Sequence, residues 1–125
     1  MLARALCAQG RYAEAEAFTR ASEEAARPND VFANVTWRSV RATVLGRQGK
    51  LQAAEAQARE AVGFAAQSDF LDAHGDALVD LAEVLRLMRR PQEARGALEE
   101  AARLYEQKEN VVSAARARSL LEKNA

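Results

Sequence analysis

A row of acidic residues is the first candidate for chemistry in this chain. The carboxylates of the row, spaced three or four residues apart, are Asp69, Asp72, Asp76, Asp80 and Glu83. On a helix such spacing places them on one face. An unpaired line of carboxylates repels itself, so the row needs counter-charges. The row therefore predicts either ion pairs with a neighbouring helix or one wall of a ligand groove.

The counter-charges expected for the acidic row lie earlier in the chain. Arg38 and Arg41 are one helical turn apart, with Arg47 further along. Two interpretations stay open: an ion-pair ladder between neighbouring helices, or a ligand groove with charges of both signs. Both predict pairing of the row with Arg38 or Arg41, and a groove with three carboxylates would prefer a basic or amide-rich segment. The candidate partner-binding residues are Arg38, Arg41, Asp76, Asp80 and Glu83.

The remaining reactive side chains give little support for catalysis. His74 is the only histidine and lies between two aspartates, whereas a metal site needs several converging ligands. It is expected to be a partly exposed helix residue. Cys7 has no histidine near it in sequence to act as a base, and its position predicts interior packing. Glycine-rich phosphate loops and hydrolase motifs are absent from the sequence. We expect no catalytic residue, cofactor or metal, and hence no enzyme.

Charge and composition narrow the partners further. The 18 basic and 18 acidic residues balance to a net charge of zero. Nucleic-acid binders normally carry a basic excess, so nucleic acid is not an expected partner. No apolar run reaches the ~20 residues of a membrane-spanning helix, so no membrane partner is expected. The single cysteine rules out an intrachain disulfide and favours a cytoplasmic location.

Internal repetition reveals the elements that position these residues. Ala15, Ala54 and Ala94 are separated by 39 and 40 residues, and each follows a turn. A second set in the same register consists of Ala3, Ala42 and Ala82, with Leu6, Leu45 and Leu85 one turn on. Small residues at fixed positions let two helices approach closely. One hairpin cannot bury its apolar face alone, so hairpins are expected to stack.

The repeat pattern predicts seven helices, at roughly 1–9, 12–27, 31–47, 51–67, 70–88, 91–107 and 110–123. Asp30, either Ser68 or Asp69, and Asn110 are predicted N-caps, and Pro91 suits a first helical turn.

Aromatic residues are expected inside this arrangement. Trp37 and Phe32 belong to an apolar strip of the helix at 31–47 and are expected to pack in the core or between repeats. Phe64 and Phe70 flank the turn before the acidic row and are expected to fill the joint between the second and third units.

The residues at the turns resemble the tetratricopeptide repeat family, whose pattern places small residues around a Gly-x-Tyr turn followed by an alanine. Gly10, Tyr12 and Ala15 match this pattern. The second segment has Leu51 in place of the tyrosine, and the third, from Arg89, matches only at its alanine. The period exceeds the family's usual 34 residues. In this it is similar to long repeats appended to bacterial ATPase-type transcription activators and nucleotide cyclases.

The resemblance implies an all-α fold, an α-solenoid of about three stacked antiparallel helical hairpins with a C-terminal capping helix. The expected single domain, 1–125, divides into repeat 1 at 1–29, repeat 2 at 30–68, repeat 3 at 69–107 and the capping helix at 109–123. Repeat 1 is truncated, so the chain is either a fragment of a longer array or is completed by another copy. Both alternatives predict an apolar N-terminal flank and leave a homo-oligomer through that flank open.

The resemblance also implies a function. It favours a protein–protein interaction module that binds a peptide or protein segment on the concave face of helices 1–9, 31–47 and 70–88. The alternative is a regulatory or sensory C-terminal region of a larger bacterial signalling protein. Many relatives hold a C-terminal carboxylate with lysine and asparagine on inner helices. The matching stretches TWRSVRATV and DALVDLAEV contain neither residue type, so that clamp is not expected.

Overall fold

The computed structural model describes residues 12–25, 27 and 30–123, and these residues form helices joined by turns, with no β-strand among them. The helices are α1 (Tyr12–Ala25), α2 (Val31–Arg47), α3 (Leu51–Ala66), α4 (Leu71–Leu87), α5 (Pro91–Gln107) and α6 (Val111–Lys123). The bounds of α2 and α5 are those predicted, and every other predicted bound is within two residues. The predicted helix at 1–9, with Cys7 and the predicted N-terminal flank, lies outside the described residues.

Two tight turns of the same geometry create the hairpins. The turn between α2 and α3 contains Gly49 at φ 81°, and the turn between α4 and α5 contains Arg89 at φ 60°. In each turn the next backbone N–H closes the helix: Lys50 donates to the Leu45 carbonyl and Arg90 to the Leu85 carbonyl, both at 2.9 Å. This bonding is the Schellman arrangement that commonly ends a helix. The hairpin turns therefore lie at the predicted positions.

The repeated alanines occupy equivalent buried positions. Ala15, Ala54 and Ala94 are each at most 1% exposed, and Ala42 and Ala82 at most 3%. Around them α2 packs against α3 and α4, α4 against α3 and α5, and α5 against α6. A continuous apolar cluster runs through these contacts from α2 to α6. The predicted solenoid of stacked hairpins is confirmed.

The helix starts agree with the predicted caps at two of three places. The Asp30 carboxylate accepts from the Ala33 N–H at 3.1 Å, and Asn110 accepts from Ser113 at 3.2 Å. The cap predicted for α4 is wrong, because Phe70 is the N-cap residue and makes no side-chain cap bond. The predicted Ser68 instead closes the end of α3, where its hydroxyl donates to the Ala65 carbonyl at 2.7 Å.

The aromatic residues divide between the core and one end of the solenoid. Trp37 is 5% exposed, which confirms its predicted interior position, and Phe64 packs against the cluster around Val35. Phe32 and Phe70 are 56% and 57% exposed, so their predicted interior positions are wrong. Phe70 precedes the first turn of α4 and Phe32 lies in the first turn of α2, at the helix ends rather than in the packed layers.

Candidate functional site

The inner helices α2 and α4, with Leu98 of α5 and Leu120 of α6, line a groove of about 270 Å³. Its apolar lining consists of Val79, Ala82, Leu98 and Leu120, and its charged lining of Arg47, Asp80, Glu83 and Arg86. The groove differs from the predicted concave face, since α6 contributes to it and the predicted helix 1–9 lies outside the described residues. The predicted capping helix contributes Leu120 to the groove.

Glu83 lies between two arginines in this groove. Its carboxylate accepts from the Arg86 guanidinium at 2.8 Å, and the Arg47 guanidinium is 3.7 Å away. The hydrogen bond to Glu83, followed by the charge of that carboxylate, raises the pKa of Arg86. Because Arg47 is on α2 and Glu83 on α4, this pair joins two neighbouring inner helices as the ladder interpretation predicts. Asp80 lines both this groove and a smaller pocket beside Asp76.

The N-terminal part of the acidic row joins α4 to the end of the next hairpin. The Tyr105 hydroxyl donates to Asp76 at 2.5 Å, and the Asn110 amide donates to Asp72 at 3.2 Å. Tyr105 can approach because Gly75 has no side chain: a Cβ atom there would lie 2.7 Å from the ring. Sequence reasoning did not identify these partners. A glycine in the middle of α4, beside an aspartate, is the signal that could have indicated a close approach.

Arg38, predicted for the concave face, points towards α3. Its Nε lies 3.3 Å from the Glu60 carboxylate. Its guanidinium carbon is 4.1 Å from the centre of the Trp37 ring and 4.3 Å from that of Phe64. The charge is therefore stacked between two aromatic rings at the joint of α2 and α3.

Arg41 likewise points away from the acidic row. It pairs with Glu23 of α1 at 2.9 Å and lies 4.8 Å from the Trp37 ring centre. The register explains both arginines: forty residues later, their positions are taken by Leu78 and Leu81, which are buried in the core. The pairing predicted for Arg38 or Arg41 with the row is wrong, because both face the outer helices.

Asn34 is a positioning residue that sequence reasoning missed. It is 7% exposed, and its amide donates to the backbone carbonyls of Arg27 and Asp30, both at 2.8 Å. Its side-chain oxygen accepts from Arg38 at 3.0 Å and from the Trp37 indole N–H at 3.4 Å. These bonds tie the loop before α2 to the stacked arginine. A polar residue among the apolar positions of a helix was the available signal.

Four charged residues link the outer helices α3 and α5. The Glu55 carboxylate accepts from Arg59 and from Arg90, each at 2.9 Å, and Arg90 also pairs with Glu93. The hydrogen bond from Arg59 is the largest effect that lowers the pKa of Glu55; burial opposes it, and Arg90 reinforces it. The Arg90 hydrogen bond likewise lowers the pKa of Glu93. Through the contact of Glu55 with Arg90, this cluster joins α3 to the start of α5.

The structure adds two observations on metal and membrane binding. His74 is partly exposed, as predicted. Among residues 12–25, 27 and 30–123, no group of three or more histidine, cysteine or acidic side chains could hold a metal ion. Within the same residues, no helix combines the length and apolar character needed to cross a membrane.

Comparison with known proteins agrees with the stacked hairpins. The family model described as "Tetratricopeptide repeat" matches residues 1–21 and 75–110. The second match covers most of α4 and all of α5, including the turn at Arg89. Neither the curated proteins nor the solved structures gave a match. The repeated alanines, the paired helices and this family model, which matches parts of the chain, together support the similarity to the tetratricopeptide repeat family.

Proposed function

We propose that this protein binds a segment of another protein in the groove of α2, α4 and α6. Tetratricopeptide repeats are in general protein–protein interaction modules. One observation supports the site most strongly: the groove takes its lining from four helices, α2, α4, α5 and α6, and combines an apolar lining with charges of both signs. Apolar contacts with a few placed polar groups are what peptide grooves use for affinity and specificity.

The lining indicates the kind of segment that would fit. Val79 and Leu120, which are partly exposed, offer a surface for one apolar side chain. A carboxylate accepts several hydrogen bonds, so Asp80 can receive a basic or amide group whatever else it contacts. Arg47 of α2 also lines the groove and would favour an acidic group. We therefore expect a ligand with an apolar anchor and a basic or amide-rich flank.

Of the residues predicted for this site, Asp80 and Glu83 are retained. Asp76 lies at its edge, but its bond with Tyr105 makes it unsuitable for a test of binding alone. Arg38 and Arg41 are not included in the proposed groove, since their guanidinium groups contact Glu60 and Glu23.

Random peptides displayed on phage and selected on the full chain provide the ligand for a test. We expect the selected peptides to share an apolar residue with a basic or amide flank. In fluorescence anisotropy, Asp80→Lys with Glu83→Lys should weaken their binding by about tenfold or more, because repulsion replaces complementary charge. The matched control, Glu24→Lys with Glu99→Lys, changes the charge equally at exposed positions of α1 and α5 and should leave affinity unchanged.

Equal affinity for the groove variant and the control would contradict the proposal, provided that both retain the helical circular dichroism of the wild type. So would hydrogen-exchange protection by the peptide that is confined to α1 and α3. Either result would place the ligand outside the groove.

Two further expectations belong to the same proposal. The family is generally non-catalytic, which supports a binding role rather than an enzyme.

The alternative role is regulatory: the groove would hold part of a larger bacterial signalling protein with an ATPase or cyclase domain. Helices of 16 and 17 residues in both complete hairpins favour it, since they give the long period typical of such repeats. Suppose that the same reading frame encodes an ATPase or cyclase domain. Binding of that domain to the wild type but not to the groove variant would support this role.

A further inference from the structure

Arg116 of α6 is a charged side chain beside the groove that the proposed site does not use. It lines the pocket of about 60 Å³ beside Asp76, together with Asp80 and Tyr105, and we call this space the Asp76 pocket. Asp80 lines both the groove and the Asp76 pocket, so the two spaces meet at this carboxylate. A segment that lies in the groove and passes over Asp80 therefore comes within reach of Arg116.

Arg116 is exposed, and its guanidinium has no hydrogen-bond or ion-pair partner among residues 12–25, 27 and 30–123. Two residues later on the same helix, Arg118 pairs with Glu106. Within the Asp76 pocket, the Asp76 carboxylate accepts from the Tyr105 hydroxyl at 2.5 Å. Arg116 thus offers a positive charge with unused donors, and the planar guanidinium group matches the geometry of a carboxylate.

The exposure of Arg116 is a property of its position in the repeat. Because α2, α4 and α6 begin 40 residues apart, Arg116 occupies the position of Asp76 in α4 and of Thr36 in α2. Asp76 is exposed although α5 and α6 both follow it in the stack, and Thr36 is partly exposed. The packing of a following outer and inner helix therefore leaves this position open to a ligand.

As an extension of the proposed function, on which it depends, we propose that Arg116 binds an acidic side chain of the segment held in the groove. This acid lies two residues from the basic or amide residue of the segment. Asp80, where the groove and the Asp76 pocket meet, receives the basic or amide group, and Arg116 receives the acid beyond it. The ligand thus carries three features in order: an apolar residue, a basic or amide residue, and an acidic residue.

The size of the Asp76 pocket sets the spacing of the two charges on the ligand. Asp80 and Arg116 line the same small pocket, so the groups that they bind lie close together. In an extended segment, neighbouring side chains point to opposite sides, whereas side chains two residues apart share a side and are separated by about 7 Å. Side chains four residues apart are separated by about 13 Å, too far for a pocket of about 60 Å³. A spacing of two residues fits.

The opposite charges of Asp80 and Arg116 make the order of charges on the ligand a source of specificity. A segment with basic residues at both places would be attracted by Asp80 and repelled by Arg116, and a segment with two acids would meet the converse. A segment with the reversed order would place each charge beside a like charge. Only the base followed by the acid gains both contacts, and the other arrangements are rejected by repulsion.

Selection from phage-displayed random peptides, on the wild type and on Arg116→Glu, tests the order of charges. Peptides selected on the wild type should carry an acid two positions from their basic or amide residue, on the side away from the apolar residue. Peptides selected on Arg116→Glu should carry a basic or neutral residue there. Arg103→Glu is the matched control. Arg103 of α5 is also exposed and without a partner among the described residues, and it lies outside the groove and the Asp76 pocket.

Fluorescence anisotropy with one peptide selected on the wild type measures the contact itself. Arg116→Glu should weaken its binding about fivefold, the upper range for an exposed ion pair, and Arg103→Glu should leave it unchanged. Replacing the acid of the peptide by lysine should weaken binding to the wild type by a similar factor. The same peptide should regain affinity for Arg116→Glu, because the two charges are then exchanged. Arg116→Gln should give a smaller loss, since it removes attraction without adding repulsion.

Two results would overturn the role of Arg116. One is equal affinity of the peptide for Arg116→Glu and Arg103→Glu. The other is tighter binding to Arg116→Gln than to the wild type, because Arg116 would then act as a counter-charge of Asp80 that competes with the ligand. With either result, weaker binding to Asp80→Lys with Glu83→Lys would leave the proposed function intact. Equal binding to that groove variant and to the wild type would instead reject the groove, and the role of Arg116 with it.

Discussion

The α2–α3 and α4–α5 hairpins differ at the equivalent contact, or joint, between their inner and outer helices. The larger side chain comes from the inner helix in the first hairpin and from the outer helix in the second. In the first, Val35 of the inner helix packs with Ala65 of the outer helix. In the second, the inner position is Gly75 and the outer one is Tyr105, which is 3% exposed. Both joints are closed although the large residue has changed sides. The repeat therefore constrains the space between two helices, and not the residue at either position.

The position of the large side chain on the outer helix affects the acidic row. Tyr105 reaches across α4 and places its hydroxyl 2.5 Å from Asp76, in the acidic row. An alanine such as Ala65 cannot do so. In the α4–α5 hairpin the joint and the row are thus physically connected, whereas in the α2–α3 hairpin the joint is connected to Trp37 through the stacked Arg38.

The largest effect is expected from placing the valine of the first joint into the second. Gly75→Val puts side-chain atoms where the Tyr105 ring lies and forces a buried ring out of the core. We expect a loss of about 3–5 kcal/mol in the free energy of unfolding, the range for removing a large aromatic side chain from a core. Urea denaturation followed by circular dichroism measures it.

The double variant Gly75→Val with Tyr105→Ala tests the comparison itself, since it copies Val35 and Ala65. It should regain at least half of the lost stability, because the new side chain then fills the space vacated by the ring. If the double variant is as unstable as the sum of the two single variants, the two joints are not interchangeable, and the proposed equivalence of positions is wrong.

The hairpin turns offer a second comparison with a smaller expected effect. Gly49 and Arg89 both adopt positive φ, a region that costs a residue with a Cβ atom about 1–2 kcal/mol. Arg89→Gly should therefore stabilise the protein by about 0.5–1 kcal/mol after the greater flexibility of glycine in the unfolded chain is subtracted. Thermal unfolding measures the change. The converse variant, Gly49→Ala, should lower the melting temperature, and a rise would contradict the argument.

Much of the fold could be predicted from the sequence because it depends on spacing. The alanines at 15, 54 and 94 fix where helices touch, and the turns follow from residues beside them, so α2 and α5 were predicted to the residue. A local signal also sufficed for the cap at Asp30. It did not suffice at Phe70, where the start of α4 depends on how α3 ends.

The candidate site was less predictable because its contacts join distant residues. Asp80 and Glu83 were correctly placed on one face from their spacing alone. The direction of Arg38 depends on which outer helix lies beside it, and the role of Asp76 depends on Tyr105, 29 residues later. The contact of Asp76 with Tyr105 produces no repeat-spaced pattern in the sequence. The comparison with Leu78 in the next repeat would have indicated that Arg38 faces a neighbouring helix.

The smallest expected effect concerns the contact between the outer helices of the two hairpins. Glu55 of α3 accepts a hydrogen bond from Arg90 at the start of α5, so it joins one hairpin to the other. Glu55→Gln removes the charge while it keeps the shape. At neutral pH we expect a loss of less than about 1 kcal/mol in the free energy of unfolding, because the cluster is largely solvated and screened.

The pH dependence of this difference identifies its cause. The arginines lower the pKa of Glu55 in the folded protein below the ordinary value of 4.5. The stabilisation is therefore fully present above pH 4.5 and is lost as the pH falls through the lower, folded-state pKa. Urea unfolding at neutral and acidic pH should show the wild type and Glu55→Gln converge in acid. Glu24→Gln, at an exposed position of α1, provides the control. A difference that persists unchanged in acid would mean that Glu55 acts through packing, and that charge contributes nothing to joining the hairpins.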